Sequence, residues 1–122
     1  IYGMTGGQMA PTTMPGQRAT TAPVGRNTAE TGMPLRMANL LGELVTPGYV
    51  TRQAVLKPQQ VNKTKKAIKK AFEYQMEGKC FSFVEVVSTC PTNWGMTPLD
   101  ALKWAEETLL PYYELGDYKV PE

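Results

Sequence analysis

The sequence predicts an α/β fold, and three segments carry that prediction. Tyr49 to Val55 reads as a strand, Pro58 to Glu77 as a long helix, and Cys80 to Val87 as a second strand. Strand, long helix, strand is a βαβ crossover, which sets the two strands parallel and is expected to be right-handed. A further helix follows from Thr97, so the expected architecture is a mainly parallel sheet with flanking helices.

Residues 1–31 are rich in Gly, Pro and Thr and carry almost no periodic apolar pattern. A stretch of that length is either functional or disordered. Its few large apolar residues offer little to offset the entropy of fixing it, so Met9 to Thr31 is expected to be poorly ordered without a partner. From Pro34 the pattern turns helical, with Leu35, Ala38, Leu41 and Val45 at helix spacing, and Pro47-Gly48 ends it. In the first strand Tyr49, Thr51, Gln53 and Val55 share one face.

The long helix draws its apolar stripe from Val61, Ile68, Ala71, Phe72 and Gln75-Met76, with Gly78 as its stop. "CFSFVEVV" is a near-continuous β-former run, as expected of a buried parallel strand. Thr97 caps the last helix and Pro98 opens its first turn; Leu99, Leu102, Ala105 and Leu109 form its stripe, and Pro111 closes it. Residues 34–122 are thus the α/β portion, and 1–31 a loop and extended segment.

The totals exclude several classes. At 122 residues there is room for one modest domain, and 42% hydrophobic with 20% charged residues is ordinary for a soluble protein. No apolar run is long enough for a membrane helix, and a net charge of +2 is too small to argue for nucleic acid. The chain has no histidine, which removes His-based triads and metal sites, and two cysteines do not make a secreted disulfide framework. No membrane and no nucleic-acid partner are expected, and the expected location is cytoplasmic. The lysines at 57, 63, 65, 66, 69 and 70 read as a solvated helix face, with Glu73 pairing Lys69 one turn away; a docking surface for an acidic partner is the other reading.

Two stretches stand out. In "IYGMTGGQMAPTT", Gly3, Gly6 and Gly7 crowd a loop directly after two strand-type residues. Glycine there serves a tight turn, or it lets backbone approach a ligand such as a phosphate. Ligands in open α/β sheets bind outside the carboxyl ends of strands. The run Met4 to Met9 also nearly matches an epitope tag. In "STCPTNW", Cys90 follows a strand end; Cys-Pro recurs at iron–sulfur sites, whereas a lone cysteine is commonly an inert small hydrophobe. Cys80, inside the strand run, reads as structural.

"IYGMTGGQMAPTT", "KKAIKKAFEYQ", "FSFVEVVSTCPTNWG" and "ALKWAEETLLPYY" together resemble the thiamine-diphosphate-binding β subunit of 2-oxoacid:ferredoxin oxidoreductases, of the multi-subunit 2-oxoisovalerate and 2-oxoglutarate type. The resemblance runs the length of the chain and continues through "IYGMTGGQ", which sets the tag reading aside. It implies the carboxy-terminal half of a thiamine-diphosphate-binding domain. It implies a backbone carbonyl of Ile1 on the Mg2+ of the diphosphate, and Gly3, Met4, Thr5, Gly6, Gly7 and Gln8 beside the cofactor. It implies Cys90 as a ligand of a 4Fe–4S cluster, and no catalytic base within this chain. Implied partners are the α, γ and ferredoxin-like δ subunits, with a 2-oxoacid, coenzyme A and ferredoxin as reactants.

The family's Gly-Asp-Gly segment, upstream Asn and early cysteines do not occur in this sequence. The chain is therefore expected to be inactive alone. In the family, Gly6 stands where two-subunit relatives carry a substrate-holding Lys and Met4 where pyruvate enzymes carry Asn; both argue against pyruvate and leave the substrate open. Two rival classes would account for less: a non-redox thiamine-dependent decarboxylase has no use for Cys90, and a non-catalytic interaction module needs neither motif.

Overall fold

The computed structural model describes residues 5–122. Its elements are α1 (Thr28–Thr31), α2 (Met37–Gly42), β1 (Gly48–Ala54), α3 (Pro58–Met76), β2 (Phe81–Val87), α4 (Pro91–Trp94), α5 (Pro98–Trp104) with a π-helical turn at Ala105–Leu109, and β3 (Gly116–Lys119). They fall into two compact units. One holds the chain up to Leu35 together with Thr89–Leu109, and the other holds Arg36–Ser88 with Leu110–Glu122. Among the described residues no helix is long and apolar enough to cross a membrane.

The second unit is the α/β portion. Its sheet has the order β2-β1-β3, with β1 parallel to β2 from Gly48 opposite Phe81 to Ala54 opposite Val87. Strand β3 is antiparallel to β1, so the parallel pair expected of the crossover sits in a mixed three-stranded sheet. Because β1 is central, nearly all of it is buried, including Tyr49, Val50, Thr51 and Arg52. The expected one-sided alternation is absent for that reason. Strand β2 is only half-buried along most of its length, since among the described residues it pairs on one side alone. Gly48 is dictated by contact: a Cβ there would stand 2.4 Å from the Phe81 ring.

Helix α3 begins with Pro58 in its first turn, and Gln60 Oε1 accepts from the N–H groups of Leu56 and Lys57. This satisfies two donors at its start. Its buried face runs through Thr64 and Ala67, not through the large residues of the expected stripe. Phe72 and Met76 are 67% and 87% exposed, and Val61 and Ile68 are also exposed. Small side chains let the helix lie close on the sheet, and the Thr64 hydroxyl donates to the Ala54 carbonyl at 2.8 Å. Lys69 and Glu73 pair at 3.7 Å as the spacing suggested.

Arg52 is fully buried in β1. Its Nε bonds Glu85 at 2.8 Å, one terminal nitrogen donates to Tyr118 Oη and the Glu114 carbonyl, and the other to Asn39 Oδ1. The rings of Tyr113 and Tyr118 lie 5.2 and 4.9 Å from the guanidinium carbon. Buried charge is tolerated only when so fully bonded. One side chain thereby ties α2, β1, β2 and β3 together.

The first unit is built differently. Thr97 caps α5 by accepting from Asp100 N–H, as expected. A π-helical turn follows at Ala105–Leu109, and the buried positions along the two are Ala101, Ala105 and Leu109. Leu99, expected in that stripe, is 78% exposed.

Candidate functional site: the glycine loop and the Cys90 turn

Between Ala10 and Met33 the chain is gathered around Arg26. Its guanidinium donates to the carbonyls of Ala10, Pro11, Thr13, Thr31 and Met33 and to the Thr31 hydroxyl. One buried cation thus replaces an apolar core, gathering carbonyls that would otherwise need water. Backbone pairs Gly16 N–H to Arg26 carbonyl and Arg26 N–H to Gln17 carbonyl close the same loop.

Ahead of this knot lies the glycine loop. Ile1, Gly3 and Met4 fall outside the described residues. The Thr5 hydroxyl donates to Gln8 Oε1 at 2.9 Å, and Gln8 Nε2 donates back to the Thr5 carbonyl at 2.8 Å. The turn between them uses left-handed backbone, with φ of +114° at Gly6 and +73° at Gly7. Thr5, Gly6 and Gln8 are exposed, whereas Gly7 is buried and its carbonyl accepts from Thr20 N–H.

Cys90 precedes α4, and the Trp94 N–H bonds its carbonyl. Its thiol is half-buried and not in a disulfide. Asn93, on the same turn, donates from Nδ2 to Cys90 Sγ at 3.5 Å. The other end of that amide faces the glycine loop: a Cβ on Gly7 would stand 2.7 Å from Asn93 Oδ1. The two motifs singled out from the sequence are therefore in contact, through a residue that sequence reading did not pick out. Asn93 lies inside "STCPTNW", but nothing local distinguishes it.

This geometry tests what the loop can hold. The recess bounded by Gly7, Gln8, Thr13, Asn93 and Trp94 has only about 10 Å³, space for a single water at most. A cofactor cannot lie between Gly7 and Asn93, so the missing side chain at Gly7 makes room for Asn93. The outer rim is different. A Cβ at Gly6 would meet only the flexible end of Gln8, at 3.5 Å or more. Thr5, Gly6 and Gln8 leave polar groups and bare backbone at the surface, which suits an anionic ligand. Among the described residues no three His, Cys, Asp or Glu side chains gather, so Cys90 can supply one bond to a metal centre and no complete site.

Comparison with known proteins supplies the context. The ketoisovalerate oxidoreductase subunit VorA of Methanothermobacter marburgensis is 48% identical over 109 residues, covering 89% of this chain and 23% of the relative. The same subunit of Methanothermobacter thermautotrophicus is 39% identical over 119 residues, covering 98% of this chain and 25% of its own. The chain is homologous to part of a 2-oxoacid oxidoreductase subunit. A third relative of this kind, the 2-oxoglutarate synthase subunit KorB of Methanocaldococcus jannaschii, is 43% identical over 114 residues, covering 88% of this chain and 37% of the relative. The chain spans about a quarter of the length of the ketoisovalerate oxidoreductase subunits it matches. No protein-family model and no solved structure matches it. The 2-oxoacid oxidoreductase relationship thus rests on sequence similarity that covers both the glycine loop and the Cys90 turn in its fullest match.

Proposed function

We propose that this chain is part of the thiamine-diphosphate-binding subunit of a 2-oxoacid:ferredoxin oxidoreductase, in which Cys90 ligates an iron–sulfur cluster and the glycine loop borders the cofactor. The whole enzyme would carry out coenzyme A-dependent oxidative decarboxylation of a 2-oxoacid in a complex with further subunits. When bound, thiamine diphosphate supplies the nucleophilic carbon and electron sink, and a cluster accepts single electrons.

The observation that carries this reading is the packing of Gly7 on Asn93 and of Asn93 on Cys90. It couples the rim of the proposed cofactor loop to the proposed iron ligand through one side chain. In this arrangement Asn93 orients the Cys90 sulfur, and its N–H contact is of the kind that shifts a cluster's potential. Thr5, Gly6 and Gln8 would face the cofactor from the outer rim, with Gly3 and Met4 beside them. Gly7 would contribute backbone alone. The Ile1 carbonyl would ligate Mg2+, a hard cation that accepts main-chain oxygen. The remaining ligands of both metal centres would come from other parts of the protein. Relatives named for ketoisovalerate and for 2-oxoglutarate support a branched or dicarboxylic 2-oxoacid as substrate.

The test is the assembled enzyme, purified with its partner subunits and supplied with each 2-oxoacid in turn. Coenzyme A-dependent reduction of ferredoxin or viologen is expected with at least one of them. Release of carbon dioxide without any dye reduction would place the protein among non-redox decarboxylases. Absence of both would leave neither enzyme reading standing.

A further inference from the structure

Next to the Cys90 turn, the first unit holds a second and larger recess of about 290 Å³, lined by Gln17, Arg18, Trp94, Met96 and Trp104, with Asn93 at its side. Its size sits at the lower end for small-molecule sites, enough for one ring system and an attached group. Two features give it chemical character. Trp94 and Trp104 meet edge to face, with centroids 4.9 Å apart and planes at 62°, and both are half-buried. Arg18 is exposed, and among the described residues no hydrogen bond or ion pair engages it.

The contrast with the chain's other loop arginine is informative. Arg26 spends its donors on backbone carbonyls. Arg18, eight residues earlier in the same loop, holds no part of the fold together. An unengaged guanidinium is a planar fork suited to a phosphate or carboxylate. Indoles offer the strongest side-chain surfaces for a flat heteroaromatic ring. Gln17 adds an amide: its Oε1 accepts from Met14 N–H at 2.9 Å, and among the described residues no acceptor engages its NH2. Opposite in bulk, Gly16 puts no side chain into this wall, and a Cβ there would meet nothing within 4 Å.

We propose that this recess binds a nucleotide, with the base against the indoles and the phosphate on Arg18. The recess borders the Cys90 turn through Asn93 and shares Gln17, Arg18 and Trp94 with the small recess beside Gly7 and Gln8, but the proposal does not require the redox assignment.

The chain contains two tryptophans, and both line this recess, so its tryptophan fluorescence reports on the site alone. The 122-residue chain would be titrated with AMP, adenosine and inorganic phosphate while indole emission is followed, with far-ultraviolet circular dichroism checking each protein for folding. AMP should quench saturably, adenosine more weakly, and phosphate should compete only poorly. Arg18→Ala should weaken AMP about tenfold, the usual scale for losing a charge-assisted contact, and leave adenosine unchanged. Trp104→Phe should weaken both ring-bearing ligands while Trp94 still reports. A folded chain showing no saturable quenching by AMP would overturn the proposal. So would equal AMP affinity in Arg18→Ala, or phosphate competing as well as AMP, which would indicate a simple anion site.

Discussion

Asn93 Oδ1 lies 2.7 Å from the point a Cβ on Gly7 would occupy, and Gly7 itself sits at a φ of +73°. Both facts forbid a side chain, for different reasons, and they can be separated. Gly7→Ala should cost about 2 kcal/mol or more, summing backbone strain and the clash. Adding Asn93→Ala removes the clash but not the strain, so the double variant should recover part of the loss. Gly6→Ala carries backbone strain without an Asn93 contact and should show no coupling to Asn93. Denaturant midpoints for the set measure this; additive losses for Gly7 and Asn93 would disprove the contact.

Arg26 holds the opening segment in place of an apolar core. Arg26→Ala would leave several buried carbonyls without donors, at about 1–3 kcal/mol each where water cannot reach. Amide exchange should accelerate at Gly16, Gln17 and Gly25, whose N–H groups bond within this loop. Arg26→Lys should not restore protection, since an ammonium cannot span five carbonyls. Equal exchange rates in the parent and Arg26→Ala would show that the loop is held by something else.

The buried pair Arg52–Glu85 predicts a larger and more global effect. Arg52→Ala strands the Glu85 carboxylate and should cost about 3–5 kcal/mol, as for other broken buried pairs. Glu85→Gln keeps the shape and one acceptor and should cost less. Thermal unfolding of the two variants ranks them, and the reverse order would contradict the assignment of Arg52 as the organising cation.

Alkaline pH should weaken the second unit. Burial, with Asp117 nearby, raises the Tyr49 pKa above 10.0. At Lys70 burial pulls the other way, but its bond to Tyr74 and the neighbouring Tyr49 prevail and raise it above 10.5. Its ammonium lies 4.9 Å from the Tyr49 ring centre and 5.5 Å from that of Tyr74. Both groups hold their protons more tightly when folded. Their contribution is therefore complete below the unfolded values and is lost as pH rises through the raised ones. Tyr49→Phe should flatten the fall in stability above pH 10.0. An unchanged slope in that variant would rule Tyr49 out as a cause.

How much of this was legible in the sequence follows from what kind of signal each feature leaves. The βαβ unit was readable because Pro58, Gly78 and the two β-former runs act locally. The burial of α3 was not, because Thr64 and Ala67 are buried for their small size, while the larger Phe72 and Met76 face outward. Strand β3 escaped notice because "GDYK" has no apolar alternation and pairs only through distant residues. The glycine loop and Cys90 were visible as motifs. Their junction at Asn93 was not, since it joins residues far apart in sequence by a contact that neither spacing nor composition encodes. Arg26 and Arg52 are likewise unremarkable letters whose weight comes from the carbonyls and carboxylate folded around them.

The central claim is that Cys90, steadied by Asn93, binds iron in a 2-oxoacid oxidoreductase. The most direct measurement is iron content with electron paramagnetic resonance of the reduced, assembled enzyme, comparing the parent with Cys90→Ser and Asn93→Ala. Cys90→Ser should lose iron or change the cluster signal while carbon dioxide exchange from the 2-oxoacid persists, and Asn93→Ala should keep the iron but shift the midpoint potential. Iron content, signal and potential all unchanged in both variants would contradict the account and return Cys90 to the role of a small residue at the end of a strand.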